Sequence, residues 1–261
     1  MRSRYTISLL VGLVSCCVVA AQTAPASNAQ AVLYAGQAIA ALTRGNSISD
    51  VVLNANATYS AGEDETGTAT LLAVNIGESR IDISLPSGTR TEIRDAQTGN
   101  ALGKWINQSG TSGRFAPHNC LTDAVWFFPA LSSLNAQASV VLAYVGPETR
   151  NGEGVQHLRS YVYQAIKDQA AAVNSRQLST MDFYLDSTTL LPSAILYNVH
   201  PDKDATANIP VEIDFSNYQA INGIVVPMRI QKYMQGTLTI DLTVISAVFN
   251  SGVSLSNFSV N

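Results

Sequence analysis

The stretch from Ala116 to Leu131, APHNCLTDAVWFFPAL, places a histidine two residues before a cysteine, ahead of three consecutive aromatics and a proline. A nucleophilic thiol needs a base within hydrogen-bond reach and usually a third group to orient that base. His118 and Cys120 supply the residue types, but side chains two apart on a helix do not face each other. No GSCW-like or QACxG-like context surrounds the cysteine. A Cys–His enzyme is thus the weaker reading, and an inert buried thiol beside a helix-start histidine the better one. A structural zinc site takes about four N or S ligands, at least two of them usually cysteines, and the three histidines, His118, His157 and His200, have only Cys120 to join them. HPDKD, from His200 to Asp204, reads as a polar hairpin loop with turn-forming Pro201. Asp182 and Asp186 share one strand parity and read as a solvated face beside Tyr184, whereas glycosidase carboxylates must face each other across a cleft. There is neither a Gly-rich phosphate loop nor a GxSxG motif. No catalytic residue, metal or cofactor is expected.

Trp126, Phe127 and Phe128 span too wide an arc to face a single core. Two readings stay open. All three rings are core, or they are divided between packing and a cavity that holds an apolar ligand. Pro129 then breaks the segment into a plug across the mouth of whatever lies beneath it.

The chain of 261 residues carries a net charge of −4, with 13% charged residues and no basic patch, so nucleic acid is excluded as a partner. MRSRYT followed by ISLLVGLVSCCVVAA, an apolar run of 15 residues, reads as a signal peptide over residues 1–21, cut after Ala21. The run is too short for a good membrane span, so the chain reads as exported and not as an integral membrane protein. LVSC, ending at Cys16, also fits the site at which bacterial lipoproteins are cut and acylated, which leaves a lipid anchor there as an alternative. The cut after Ala21 removes Cys16 and Cys17 and leaves Cys120 without a cysteine to pair with.

The elements that must position these residues follow from periodicity. Ser27 and Gln30 have capping-box spacing, Val32, Ala35, Ile39 and Leu42 fall on one helix face, and Gly45 ends the helix. Period two then takes over. Ile81, Ile83 and Leu85 alternate with polar residues, as do Thr91 and Ile93 with Arg90, Glu92 and Arg94. The same holds for Ile209 to Phe215 and for Leu238 to Val244. This is the pattern of half-buried antiparallel strands with one wet face. IGES, PSG, QTG, NGEG, ING and QG mark the turns. Ten or eleven strands are expected between Val51 and Phe249. Asn119 or Thr122 caps a short helix through about Phe127, and Gln164 to Arg176 is a weaker helix or a long loop. Residues 22–261 read as one domain. Two short helical pieces cannot cover so broad an apolar face unless the sheet curls into a half-barrel around them, leaving either packed core or a cavity inside.

MDFYLDSTTLLPSAILYN (Met181 to Asn198), VEIDFSNYQAINGIVVPMRIQKY (Val211 to Tyr233) and the closing VISAVFNSGVSLSNFSV resemble the hairpins and tail of the LolA-like, outer-membrane lipoprotein-sorting superfamily. The resemblance implies a mainly β (α+β) protein: a curved antiparallel half-barrel of about 11 strands, covered on its concave face by an N-terminal helix and a short helical insert. It implies a periplasmic, non-enzymatic protein that binds an acyl chain, lipid or lipoprotein in an apolar cavity. The carriers latch their lid with an arginine on an early strand, for which Arg80 is the nearest candidate. The insert is not the carriers' own sequence, so the reading is the broader one, an envelope protein with an apolar ligand. That ligand would shelter between Trp126, Phe127, Phe128 and Leu131 above and Ile83, Leu85, Ile213, Ile240 and Leu242 below. The rival is an interaction or sensor protein with a filled core and an envelope protein partner.

Overall fold

The computed structural model describes residues 25–60, 62–96, 101–135, 139–163 and 168–260. The expected signal peptide, its cut after Ala21 and the alternative anchor at Cys16 lie outside the described residues.

Helix α1 (Ala29–Thr43) precedes six strands: β1 (Asp50–Tyr59), β2 (Glu65–Val74), β3 (Glu78–Leu85), β4 (Gly88–Asp95), β5 (Leu102–Ile106) and β6 (Ser112–Arg114). An insert follows, and then β7 (Val140–Arg150) and β8 (Glu153–Val162), helix α2 (Gln169–Leu178), β9 (Met181–Asp186), β10 (Pro192–Val199), β11 (Ile209–Ile221), β12 (Ile224–Met234) and β13 (Thr237–Phe249). All thirteen strands form one antiparallel sheet in the order β6-β5-β4-β3-β2-β1-β13-β12-β11-β10-β9-β8-β7. Among the described residues the count exceeds the expected ten or eleven. β5 and β6, of five and three residues, are too short to display alternation.

The order describes two meanders, β1 to β6 and β7 to β13, joined where β1 pairs with β13. Tight turns connect the hairpins. Asn151–Gly152, Asn222–Gly223 and Gln235–Gly236 all have positive φ at both positions, the turn whose twist matches that of the flanking strands. β6 and β7 are opposite edges of the sheet, so the chain between them must cross its whole width. The insert makes that crossing over one face, here called inner.

The sheet is open but strongly curled. Lys232 on β12 lies 3.9 Å from Glu92 on β4. Those strands are five positions apart in the sheet, which in a flat sheet would separate them by about 24 Å. The inner face is lined by residues such as Leu53, Leu71, Ile83, Phe183, Ile213 and Leu242, all buried in one core cluster with the insert.

Three local expectations change. The N-cap of α1 is Asn28, whose Oδ1 accepts from the Ala31 N–H at 3.0 Å, rather than Ser27. Ser27 instead accepts from the Leu142 N–H, and the Asn28 N–H donates to the Leu142 carbonyl, so this pair covers edge strand β7. The buried helix face is Ala31, Ala35, Ala38 and Leu42, while Val32 is 41% exposed. Alanines let the helix lie close to the sheet, and the tighter stripe is one position off the bulkier one. Among its described residues the insert contains no α-helix. It has 3₁₀ turns at Pro117–Cys120 and Pro129–Leu131. The weaker helix expected from Gln164 forms as α2, capped by Asp168; residues 164–167 are outside the described set.

Candidate functional site

Strand alternation places the floor of the site. Residues directly opposite in an antiparallel pair share a face. Ile81 and Ile83 on β3 are inner, and their partners on β4 are Glu92 and Arg90; Arg94 faces Ser79. The charged side of β4 therefore turns inward, and Ile93 turns outward. Ile93 is nonetheless buried, because the tail after β13 folds back and covers it with Phe258 and Val260. On β12, Lys232 pairs with Ile213 on one side and Ile240 on the other, which makes it inner as well.

The insert forms the roof. Polar groups of the floor take up backbone groups that a helix would have satisfied internally. The Ser79 hydroxyl donates to the Ala124 carbonyl at 2.7 Å. The Arg94 guanidinium donates to the carbonyls of Asn119 and Thr122 at 3.1 and 3.0 Å. The Asp123 N–H donates to Met181 Sδ on β9, and Ser133 Oγ lies 3.0 Å from Ser160 Oγ on β8. The roof is thus pinned to both halves of the half-barrel. Gly103 on β5 gives it a seat: an added Cβ would lie 2.5 Å from the Phe115 ring and 3.2 Å from Cys120 Sγ.

All nine residues expected around a ligand fall in one inner cluster. Phe127 and Phe128 are 0% exposed and Trp126 6%. The Trp126 and Phe127 rings meet edge to face at 5.8 Å, and Phe128 lies 5.9 Å from the Phe249 ring. Of the nine, Trp126 borders a cavity. That cavity, about 190 Å³, is also walled by Ile81, Val199, Val211 and Met234, with Arg90, Glu92, Arg94, Asp123, Tyr197 and Lys232 among its polar residues. A larger recess of about 850 Å³ adjoins it, lined by the β2–β3 turn, the facing ends of β4 and β5, and the start of β7 beside the end of β8. Arg94, Thr122, Asp123 and Ala124 line both spaces and so form the partition between them. Phe127, Phe128, Leu131, Ile83, Leu85, Ile213, Ile240 and Leu242 pack around these spaces without bordering either.

The electrostatics around the small cavity are uneven. Burial works against the charge of Glu92, but Lys232 and Arg90 outweigh it and hold the carboxyl below its ordinary range. Arg90 donates to Glu92 at 3.1 Å. Lys232 Nζ also sits 4.5 Å from the centre of the Trp126 ring, a cation–π contact. Burial pushes Asp123 up to about 6, against the Ser133 hydrogen bonds and the charge of Arg94. This charged set was not anticipated as a site. The signal was present in RTEIRD and QKY, but alternation cannot say which parity faces in when both faces of a strand are covered.

The other candidates have structural roles. Cys120 is buried, and desolvation raises its pKa. Among the described residues no hydrogen bond joins it to His118, whose ring lies edge-on to His200 at 5.9 Å. Among them, too, no group of three His, Cys, Asp or Glu side chains could hold a metal ion. Asp182 lies on the outer face, half-buried, and accepts from Arg159 at 2.7 Å; its other neighbour is His157 Nε2 at 2.8 Å. Asp186 closes a turn by accepting from the Thr188 and Thr189 N–H groups. Arg80, the nearest latch candidate, points outward and pairs with Asp82 at 2.7 Å. The arginine that holds the roof is Arg94. No helix among the described residues is long and apolar enough to cross a membrane.

No family model and no curated protein matches the chain by sequence. Solved structures do match its shape. A putative outer membrane lipoprotein-sorting protein domain from Vibrio parahaemolyticus is 12% identical, with a TM-score of 0.53, covering 88% of this chain and 96% of that one. A LolA superfamily protein from Nitrosomonas europaea is 10% identical, with a TM-score of 0.54 and coverages of 88% and 97%. A DUF1329 family protein from Desulfovibrio piger is 12% identical, with a TM-score of 0.52 and the same coverages. With its open antiparallel sheet curled beneath a bridging insert, the chain has the LolA-like fold.

Proposed function

We propose that this protein is an exported, non-enzymatic binder of an apolar ligand, an acyl chain, lipid or lipoprotein, held on the inner face beneath the insert. One observation carries the reading. The roof does not seal the half-barrel: a cavity of about 190 Å³, walled by apolar and charged side chains together, stands beside a recess of about 850 Å³. The first is below the usual range for small-molecule pockets, roughly 300–1,000 Å³, and the second within it. A shift of Thr122 to Ala124 would merge them into one channel beside Trp126. The Vibrio parahaemolyticus neighbour, a putative outer membrane lipoprotein-sorting protein domain, is consistent with this use of the fold.

Native mass spectrometry of gently purified protein tests the reading, together with Trp126 fluorescence in a Trp105→Phe background as a fatty-acyl probe is titrated in. A co-purified lipid, or a blue shift with protection from quenching, supports it. No adduct and no spectral response would sink it. The complete burial of Phe127 and Phe128 favours a second reading, an interaction protein with a filled core and an envelope partner, which that negative result would promote. Export rests on residues 1–21, and the intact mass of the secreted chain tests it: a start at Gln22 supports cleavage, whereas a diacylated Cys16 would make the protein membrane-anchored.

A further inference from the structure

A cavity that held only an apolar chain would have little reason to gather charge, because charges are costly to take out of water. Yet β4 and β12 direct Arg90, Glu92, Arg94 and Lys232 into this one, and the roof adds Asp123. The cluster holds three cations and two carboxylates. Glu92 engages Arg90 at 3.1 Å and Lys232 at 3.9 Å. The Asp123 carboxylate accepts from the Ser133 N–H at 2.8 Å and forms no ion pair among the described residues. Arg94 spends its terminal nitrogens on two roof carbonyls. The Nε atoms of Arg90 and Arg94 are both buried and have no hydrogen-bond partner among the described residues. Buried N–H donors without an acceptor are rare, and each asks for an explanation.

A ligand oxygen anion supplies one. Arginine presents its donors in a planar fork that matches a carboxylate, and such charge-assisted hydrogen bonds are among the strong ones. The apolar part of the same ligand has a wall to follow: Trp126, Val211 and then Met234, which at 38% exposure stands at the cavity mouth. Resting on the binding function proposed above, we propose that the cavity selects a single-chain fatty carboxylate. Its headgroup is held by Arg90, Arg94 and Lys232, and its chain lies along Trp126, Val211 and Met234.

The test compares dodecanoate, dodecanol and acetate by fluorescence titration of the Trp105→Phe protein. Dodecanoate should bind roughly ten- to a hundredfold more tightly than dodecanol, and acetate should show no saturable binding. Lys232→Met keeps the apolar stem over Trp126 and removes the charge. It should lower dodecanoate affinity about tenfold or more and leave dodecanol unchanged. Arg90→Gln is the second variant and should do the same, with melting curves confirming that each is folded. Equal binding of dodecanoate and dodecanol, or a wild-type response in both variants, would overturn headgroup selection while leaving apolar binding intact. Acetate binding as tightly as dodecanoate would overturn it in favour of a plain anion site. If neither twelve-carbon ligand binds, the binding function itself fails and this inference with it.

Discussion

Asp123→Asn should stabilise the folded protein at neutral pH. The side chain sits in the partition between the two cavities, and burial raises its pKa from the ordinary 3.8 to about 6. Between those two values the folded chain holds a proton that the unfolded chain has released. Stability therefore falls as pH rises through that window, and it stays low above about 6. Each pH unit is worth about 1.4 kcal/mol, so the span corresponds to a ceiling of about 3 kcal/mol. Because the carboxylate borders two cavities, water reaching it will lower that figure. Asparagine keeps an oxygen for the Ser133 N–H, which lies 2.8 Å from the present carboxylate. Urea denaturation of both proteins from about pH 4 to about pH 8 reads the effect. The stability gap should be small at the acid end, widen to about 1–3 kcal/mol in favour of the variant near pH 7, and then level off. A gap that does not change with pH, or a variant less stable at neutral pH, would refute the reasoning.

Phe128→Ala should cost about 3–5 kcal/mol in chemical denaturation, since the ring is fully buried against Phe249 and leaves a void that the sheet cannot close; a loss below about 1 kcal/mol would mean that the ring is not core. Cys120 should react slowly with iodoacetamide in the folded state, because burial raises the thiol's pKa, and Cys120→Ser should cost about 1–2 kcal/mol; fast alkylation at neutral pH would count against this. For His157, burial opposes the charge, but hydrogen bonds and charges from Asp182 and Glu148 prevail and raise its pKa above the ordinary 6.5. Its contribution is full below about 6.5 and is lost as pH rises through the folded value, so His157→Gln should flatten the decline in melting temperature as pH rises above about 6.5. An unchanged slope would show that the imidazole is not charged in the folded protein.

Much of the fold could be read along the chain because its signals are local. Alternation over Ile81 to Leu85, Ile209 to Phe215 and Leu238 to Val244 corresponds to β3, β11 and β13. Asn-Gly at 151–152 and 222–223 marks hairpins because such turns need positive φ at both residues. HPDKD is a loop, and Cys120 is a buried thiol. Element order was enough to suggest the LolA-like fold. Apart from the cap and buried face of α1, what was misread depended on residues far away in the chain. Alternation on β4 separates Arg90, Glu92 and Arg94 from Ile93, but which set faces in was decided by Phe258 and Val260 covering the outer side. The insert looked helical because its cap and apolar residues suit a helix. It stays irregular where Ser79, Arg94 and Met181 take up its backbone groups. Nine apolar residues could be named as inward-facing, but that Trp126 alone among them borders the cavity follows from how the roof settles. The candidate site is charged at its centre because a sheet curled through five strand positions brings Glu92 against Lys232, and no window of sequence contains that curvature.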